Sequence, residues 1–138
     1  IEKMESSIRN GTAYNIFKKM ITAHGGNIKV IEKNNYHNPK HTSHIKAKHK
    51  GYISNINTLL MGNALVEMGA GRKRISDFID PSAGFTIHVK KGDLVSKGDK
   101  LITSYCGIEK KLTLAKEMLT KSIEISSESP KLSQLILN

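Results

Sequence analysis

The stretch that decides the fold lies in the last third of the chain, at residues 91–101, and reads KGDLVSKGDKL. It contains two Lys-Gly-Asp triplets, and each is typical of a tight turn. Glycine adopts the positive φ that such turns require, and aspartate accepts hydrogen bonds from the turn backbone. We therefore expect two turns, with Val95 and Leu101 pointing from the adjoining extended segments into a β core.

Strand signals surround these turns. Residues 84–89 (GFTIHV) and 101–105 (LITSY) are rich in β-branched and aromatic residues, and residues 45–53 are typical of a strand, a turn and a second strand. Residues 27–44 are polar, which predicts a long loop with a short strand at 28–31. Most of the β content is thus expected between residues 45 and 105, before and around the two turns.

Helical periodicity occupies the rest of the chain. Apolar residues recur at helical spacing before and after Asn10-Gly11, which predicts a helical hairpin over residues 1–26. A further helix is expected from Asn57 to Gly69, with asparagine as its N-cap and glycine at its end. The last helix is expected over about 108–126. The predicted fold class is α+β, with an N-terminal helical hairpin, a small β domain and a C-terminal helix.

Composition limits the function classes. The chain has 138 residues, which fits one domain, and its net charge is +10. A basic chain favours anionic partners, although a lysine-rich solvated surface explains the same charge. The single cysteine, Cys106, excludes an intrachain disulfide and fits a reducing compartment, and we expect it to be a small buried residue. No apolar run approaches the roughly 20 residues that cross a bilayer.

Histidines are the only candidate metal ligands that cluster in the sequence. They are His37, His41, His44 and His49. Zinc sites combine four ligands at tight spacing, and no cysteine or acidic cluster lies near these histidines. We predict solvated histidines and no metal site.

Three motifs carry a family resemblance. Residues 68–72 (MGAGR), 79–85 (IDPSAGF) and 92–101, in this order and spacing, resemble the C-terminal domain of the thymidine and pyrimidine-nucleoside phosphorylase family. Residues 11–26 resemble the helical segment that leads into that domain, and residues 47–53 resemble its first strand pair. The resemblance covers nearly the whole chain.

The resemblance implies an architecture. In this family the last domain contains a small barrel-sandwich (hammerhead-like) β element, similar to those of lipoyl and biotinyl domains. Residues 1–26 would then continue an upstream α/β domain, and residues 27–138 would form the C-terminal domain. The chain begins with Ile1 and not with methionine, so we expect a piece of a longer polypeptide.

The resemblance also implies a reaction. The family cleaves a pyrimidine nucleoside with inorganic phosphate as co-substrate, without another cofactor, in cytoplasmic nucleoside salvage, and its members are typically homodimers. Its catalytic and substrate-binding residues lie upstream of this domain, so we assign no catalytic residue here and expect the chain alone to be inactive. No nucleic acid, membrane or metal is implied as a partner.

One segment is a candidate for a functional role within this chain. The loop that contains Gly69, Gly71, Arg72 and Arg74 is glycine-rich and basic, and the resemblance places it beside the interdomain cleft. We expect either a flap that closes over the phosphate or a helix cap followed by a solvated loop.

Two other function classes remain open from the residues alone. The turn motif at residues 91–101 suits a lipoyl- or biotinyl-like carrier domain, although no exposed lysine hairpin with a carrier motif stands between the two β halves. The basic charge suits a nucleic-acid-binding module, although aromatic residues that could stack on bases make up only 5% of the chain.

Overall fold

The computed structural model describes residues 1–33 and 37–132. It divides into two compact units, Ile1–Asn38 and Pro39–Asn138. The domain division expected after residue 26 stays a prediction, because a compact unit need not coincide with a domain of the family.

The first unit is helical. Helix α1 spans Glu2–Arg9, α2 spans Thr12–Ala23 and α3 spans Ile28–Ile31. Helices α1 and α2 form the predicted hairpin, and no residue of these three helices is buried. The strand expected at residues 28–31 is wrong. The side chain of Asn27 accepts a hydrogen bond from the N–H of Lys29 and starts a helical turn instead.

The second unit combines strands and helices in chain order. They are β1 (His41–Lys46), β2 (Gly51–Ile56), α4 (Thr58–Met68), β3 (Gly84–Ile87), β4 (Leu94–Val95), β5 (Lys100–Cys106), α5 (Glu109–Lys121) and β6 (Ile123–Ser126). All strand pairs are antiparallel, in two three-stranded sheets ordered β1-β5-β3 and β4-β2-β6. The α+β class is confirmed. The strands described here do not close into one barrel, so the barrel-sandwich description stays a prediction.

The two tight turns have the predicted chemistry. Gly92 and Gly98 both have a φ of 96°. The carboxylates of Asp93 and Asp99 each accept a hydrogen bond from the N–H three residues earlier, at 2.7 and 2.8 Å. The two turns are therefore structural copies of each other, built by the same local interactions.

Each turn is also tied to a distant segment. Gly92 donates its N–H to the carbonyl of Ile53 at 2.8 Å, and Gly98 donates to the carbonyl of Ala47 at 2.9 Å. The N–H groups of Ile53 and Ala47 donate back to the carbonyls of the turn aspartates, both at 2.9 Å. The β1–β2 segment and the turn pair thus hold each other through reciprocal backbone hydrogen bonds.

The core lies between the sheets and the helix pair α4 and α5. Its fully buried large side chains include Ile53, Met68, Ile102 and Leu119. Val95 and Leu101 are also buried, at 4% and 3% exposure, which confirms that the turn pair directs them inward. Burial of such aliphatic side chains contributes roughly 1.5 to 3 kcal/mol each.

The C-terminal helix is shorter than expected. Helix α5 ends at Lys121, and residues 123–126, which were expected to be helical, form β6. Strand β6 pairs with β2, where Ile123 lies opposite Ile56 and Ile125 lies opposite Ile53. Pairing with a preformed strand edge outweighs the weak helical preference of this alternating Ile-Glu-Ile segment.

Candidate functional site

The candidate loop with Gly69, Gly71, Arg72 and Arg74 begins where α4 ends. Gly69 has a φ of 95° and donates its N–H to carbonyls in the last turn of the helix, as expected for a C-cap. A Cβ at Gly71 would lie 3.1 Å from the Cγ2 atom of Val66, so this glycine allows the chain to turn back closely over the helix. Both glycines of the candidate site are therefore explained by chain geometry.

The base of the loop is closed by Asp80. Its N–H donates to the carbonyl of Gly69 at 2.8 Å. Its carboxylate accepts from the N–H and the hydroxyl of Ser82, at 2.9 and 2.6 Å, and from the N–H of Gly107 at 2.7 Å. Asp80 thus joins three segments: its backbone N–H reaches the end of α4, and its carboxylate holds the turn before β3 and the exit from β5. Residues 70–79 form an Ω-type loop whose ends are held together.

The Asp80 carboxylate is a fixed anion. Burial acts to raise its pKa, but the hydrogen bonds from Ser82, Gly107 and Cys106 outweigh burial and lower the pKa below its ordinary value. A carboxylate held in this way is ionised at neutral pH and is occupied by its donors. Asp80 is therefore suited to hold structure and not to transfer protons.

The outer part of the loop presents free cations. The carboxylate of Asp77 accepts from the N–H groups of Lys73 and Arg74, at 3.0 and 2.9 Å. The Lys73 ammonium pairs with Glu67. In the part of the chain that the structure describes, the other ion pair lies within α1, so the exposed guanidinium groups of Arg72 and Arg74 have no acidic partner. They are available to an anion.

Two apolar side chains stand beside these cations. Ile75 is 95% exposed and Phe78 is 83% exposed. Sequence reasoning did not single them out, although two large apolar residues in an otherwise polar loop are a readable signal. The outer loop therefore offers both positive charge and apolar surface.

The structure does not gather the candidate histidines into a ligand set. Within residues 1–33 and 37–132, no group of three or more His, Cys, Asp or Glu side chains is placed to hold a metal ion. His44 instead lies 3.1 Å from the hydroxyl of Thr103, and His88 contacts the same hydroxyl at 2.8 Å. Cys106 is fully buried, with its thiol 3.1 Å from the carbonyl of Met68, so the prediction of a buried cysteine is confirmed.

No helix in the described ranges is long and apolar enough to cross a membrane.

Known proteins resemble this chain over most of its length. Thymidine phosphorylase of Metamycoplasma hominis is 36% identical over 124 residues, which cover 89% of this chain and 45% of the relative. Pyrimidine-nucleoside phosphorylase of Geobacillus stearothermophilus is 32% identical over 125 residues, which cover 90% of this chain and 29% of the relative. The chain thus spans less than half the length of these curated relatives.

The family model of the pyrimidine nucleoside phosphorylase C-terminal domain matches residues 52–126. The match runs from β2 to β6 and includes the loop, Asp80 and the turn pair. It covers more than half of the chain, and the chain therefore belongs to the pyrimidine nucleoside phosphorylase family, as a C-terminal domain of that family.

Proposed function

We propose that this chain is the C-terminal part of a thymidine-type pyrimidine-nucleoside phosphorylase. The enzyme would cleave thymidine with inorganic phosphate to thymine and 2-deoxyribose 1-phosphate. A phosphate oxygen would bond to C1′ as the bond from C1′ to the base nitrogen breaks, and the proton of hydrogen phosphate would pass to that nitrogen. The names of the relatives and the family match over β2 to β6 support this proposal. We propose cytoplasmic nucleoside salvage as its setting, a homodimer as the full-length form and no cofactor besides phosphate.

The catalytic residues are proposed to lie on a segment outside these residues. The relatives are more than twice as long as the part that this chain matches. The glycines of the loop and the glycines and aspartates of the turns act in capping and packing, and the Asp80 carboxylate is occupied by hydrogen bonds. We also propose that the two sheets correspond to the barrel-sandwich element of the family.

The isolated 138 residues are expected not to turn over thymidine or uridine. The test is phosphate-dependent release of thymine or uracil, followed by chromatography, with a full-length family member as the positive control. Release at a rate comparable to the control would contradict the placement of the catalytic residues. The same assay on the longer polypeptide tests the phosphorylase proposal itself.

Within the proposed enzyme, the loop at residues 69–80 would act as a flap over the bound phosphate. Its exposed guanidinium groups, Arg72 and Arg74, have no acidic partner, and its base is fixed by Asp80. Positive charge carried on a loop of this kind stabilises a phosphate dianion when the loop closes and excludes water. Ile75 and Phe78 would supply apolar contacts in the closed position.

The flap is tested by replacing Arg72 and Arg74 with alanine in the full-length polypeptide. Loss of a charge-assisted contact of about 1.5 kcal/mol would raise the KM for phosphate roughly tenfold. The KM for thymidine should change little. Lys97, an exposed cation in the second tight turn, provides a matched alanine control. An unchanged phosphate KM and kcat in the Arg72→Ala, Arg74→Ala variant would exclude the flap.

A further inference from the structure

A second polar site lies away from the loop, between β1 and α5. It is a cleft of about 480 Å³. Its polar lining comes from β1, from the residue that precedes β1 and from α5: Lys40, His41, Thr42, Ser43, Glu109, Thr113 and Lys116. The buried side chain of Leu112 lies at its floor. None of the loop residues 69–80 lines this cleft.

The periodicities of the two elements explain why these groups meet. On β1, His41 and Ser43 share a face with the buried Ile45, and α5 packs against this strand. On α5, Glu109 and Lys116 are separated by two helical turns and therefore lie on one side of the helix. The cleft is thus walled by a strand face and a helix face that the core holds in place.

The charge of the cleft favours an anion. Lys40 and Lys116 come from opposite walls, and neither forms an ion pair among the residues that the structure describes. Ser43 and His41 also line the cleft, and a hydroxyl and an imidazole can both donate hydrogen bonds. Glu109 is the acidic residue in the lining. Two ammonium groups with a hydroxyl donor are a suitable set for a phosphate group.

The size of the cleft indicates more than a free phosphate ion. A volume of about 480 Å³ lies within the range of small-molecule sites, roughly 300 to 1,000 Å³. A carboxylate beside a phosphate site repels a second anionic group but accepts hydrogen bonds from hydroxyl groups. A ligand whose remainder is neutral and rich in hydroxyls therefore suits the carboxylate of Glu109.

We propose that the cleft between β1 and α5 binds the phosphate monoester of a sugar. The phosphate group would lie between Lys40 and Lys116, and Glu109 would accept a hydrogen bond from a sugar hydroxyl. The site is distinct from the flap, and its occupation does not depend on the phosphorylase reaction.

The experiment is a calorimetric titration of the 138-residue chain at low ionic strength, with ribose 5-phosphate, inorganic phosphate and ribose as probes. Ribose 5-phosphate is expected to bind with saturation and more tightly than phosphate, and ribose is expected not to bind. The double variant Lys40→Gln, Lys116→Gln should bind ribose 5-phosphate at least tenfold more weakly. Glu109→Gln should weaken the binding of ribose 5-phosphate but leave the binding of inorganic phosphate unchanged.

Two controls separate this site from general charge. Lys121→Gln removes an exposed cation at the end of the same helix, and Lys97→Gln removes an exposed cation in the second tight turn. Both should leave binding within twofold of the parent chain, and the thermal transition of each variant checks its fold. Absence of saturable binding, or equal weakening by either control, would overturn the proposal. If inorganic phosphate binds as tightly as ribose 5-phosphate, the proposal of a sugar phosphate as the ligand is wrong.

Discussion

The replacement of Asp80 by asparagine tests how the loop and the core are joined. One carboxylate oxygen accepts both hydrogen bonds from Ser82, and the other accepts the N–H of Gly107. An amide has one oxygen and one NH₂ group, so asparagine can satisfy only one of these two sides. In either orientation a backbone N–H in a partly buried site faces another donor.

The magnitude follows from these contacts. A hydrogen bond to a charged group contributes roughly 1.5 to 3 kcal/mol, and an orphaned buried donor costs roughly 1 to 3 kcal/mol. Because these contributions overlap, we expect Asp80→Asn to lower the free energy of unfolding by about 2 to 4 kcal/mol. The free energy of unfolding of a domain is roughly 5 to 15 kcal/mol in total. A loss of this size should therefore shift the midpoint of a urea transition measured by circular dichroism.

Asp77 offers a matched control in the exposed part of the loop. Its two hydrogen bonds, from the N–H groups of Lys73 and Arg74, both reach the same carboxylate oxygen. The amide oxygen of the Asp77→Asn variant can accept both hydrogen bonds. The free energy of unfolding should therefore fall by less than about 1 kcal/mol. If Asp80→Asn lowers the free energy of unfolding no more than Asp77→Asn does, Asp80 does not join the loop to the core as its contacts indicate.

The pH dependence of the same pair gives an independent check. The folded-state pKa of Asp80 is lowered, so its stabilising contribution is present above the unfolded pKa of about 4 and is lost as the pH falls through the folded pKa. The gap in unfolding free energy between the parent chain and Asp80→Asn should therefore shrink between about pH 5 and pH 3. A gap that stays constant over this range would show that the charge of Asp80 has no part in the effect.

Two further predictions concern the core and the sheets. Leu119→Ala, at a fully buried site on α5, should lower the free energy of unfolding by about 2 to 5 kcal/mol in a denaturant transition. Leu114→Ala, at a position that is 54% exposed, should lower it by less than about 0.5 kcal/mol. Similar losses in the two variants would contradict the packing of α5. Gly98→Ala meets no atom within 4 Å, so only its positive φ opposes it, at about 1 to 2 kcal/mol. Gly51→Ala places a Cβ 2.5 Å from the carbonyl oxygen of Ser126. This variant should lower the free energy of unfolding by about 3 kcal/mol and speed amide hydrogen exchange in β6. Equal losses in Gly98→Ala and Gly51→Ala would refute the close approach of β2 and β6.

The features that could be predicted from the sequence are those made by local interactions. The turns at residues 91–99 follow from glycine at positive φ and from aspartate side chains that reach backbone only three residues away. The start and end of α4 follow from Asn57, which caps the N–H of Leu60, and from Gly69. Such interactions involve neighbours in the chain, so the residue types alone indicate them.

The features that could not be predicted depend on partners distant in the sequence. Residues 123–126 were expected to continue the last helix, and pairing with the edge of β2 makes them a strand. In the sequence Asp80 stands out only as part of the motif at residues 79–85, because its role depends on Gly107, which lies beyond β3, β4 and β5. A side chain cannot be recognised as a junction until folding brings its donors within hydrogen-bond distance.

The two candidate sites divide in the same way. The loop was a candidate because Gly69, Gly71, Arg72 and Arg74 are close in sequence, although only the structure showed that the two arginines have no acidic partner. The cleft between β1 and α5 left no sequence signal, since Lys40 and Lys116 are far apart in the chain. Sequence patterns determine which groups are available, and tertiary packing decides which of them face one another.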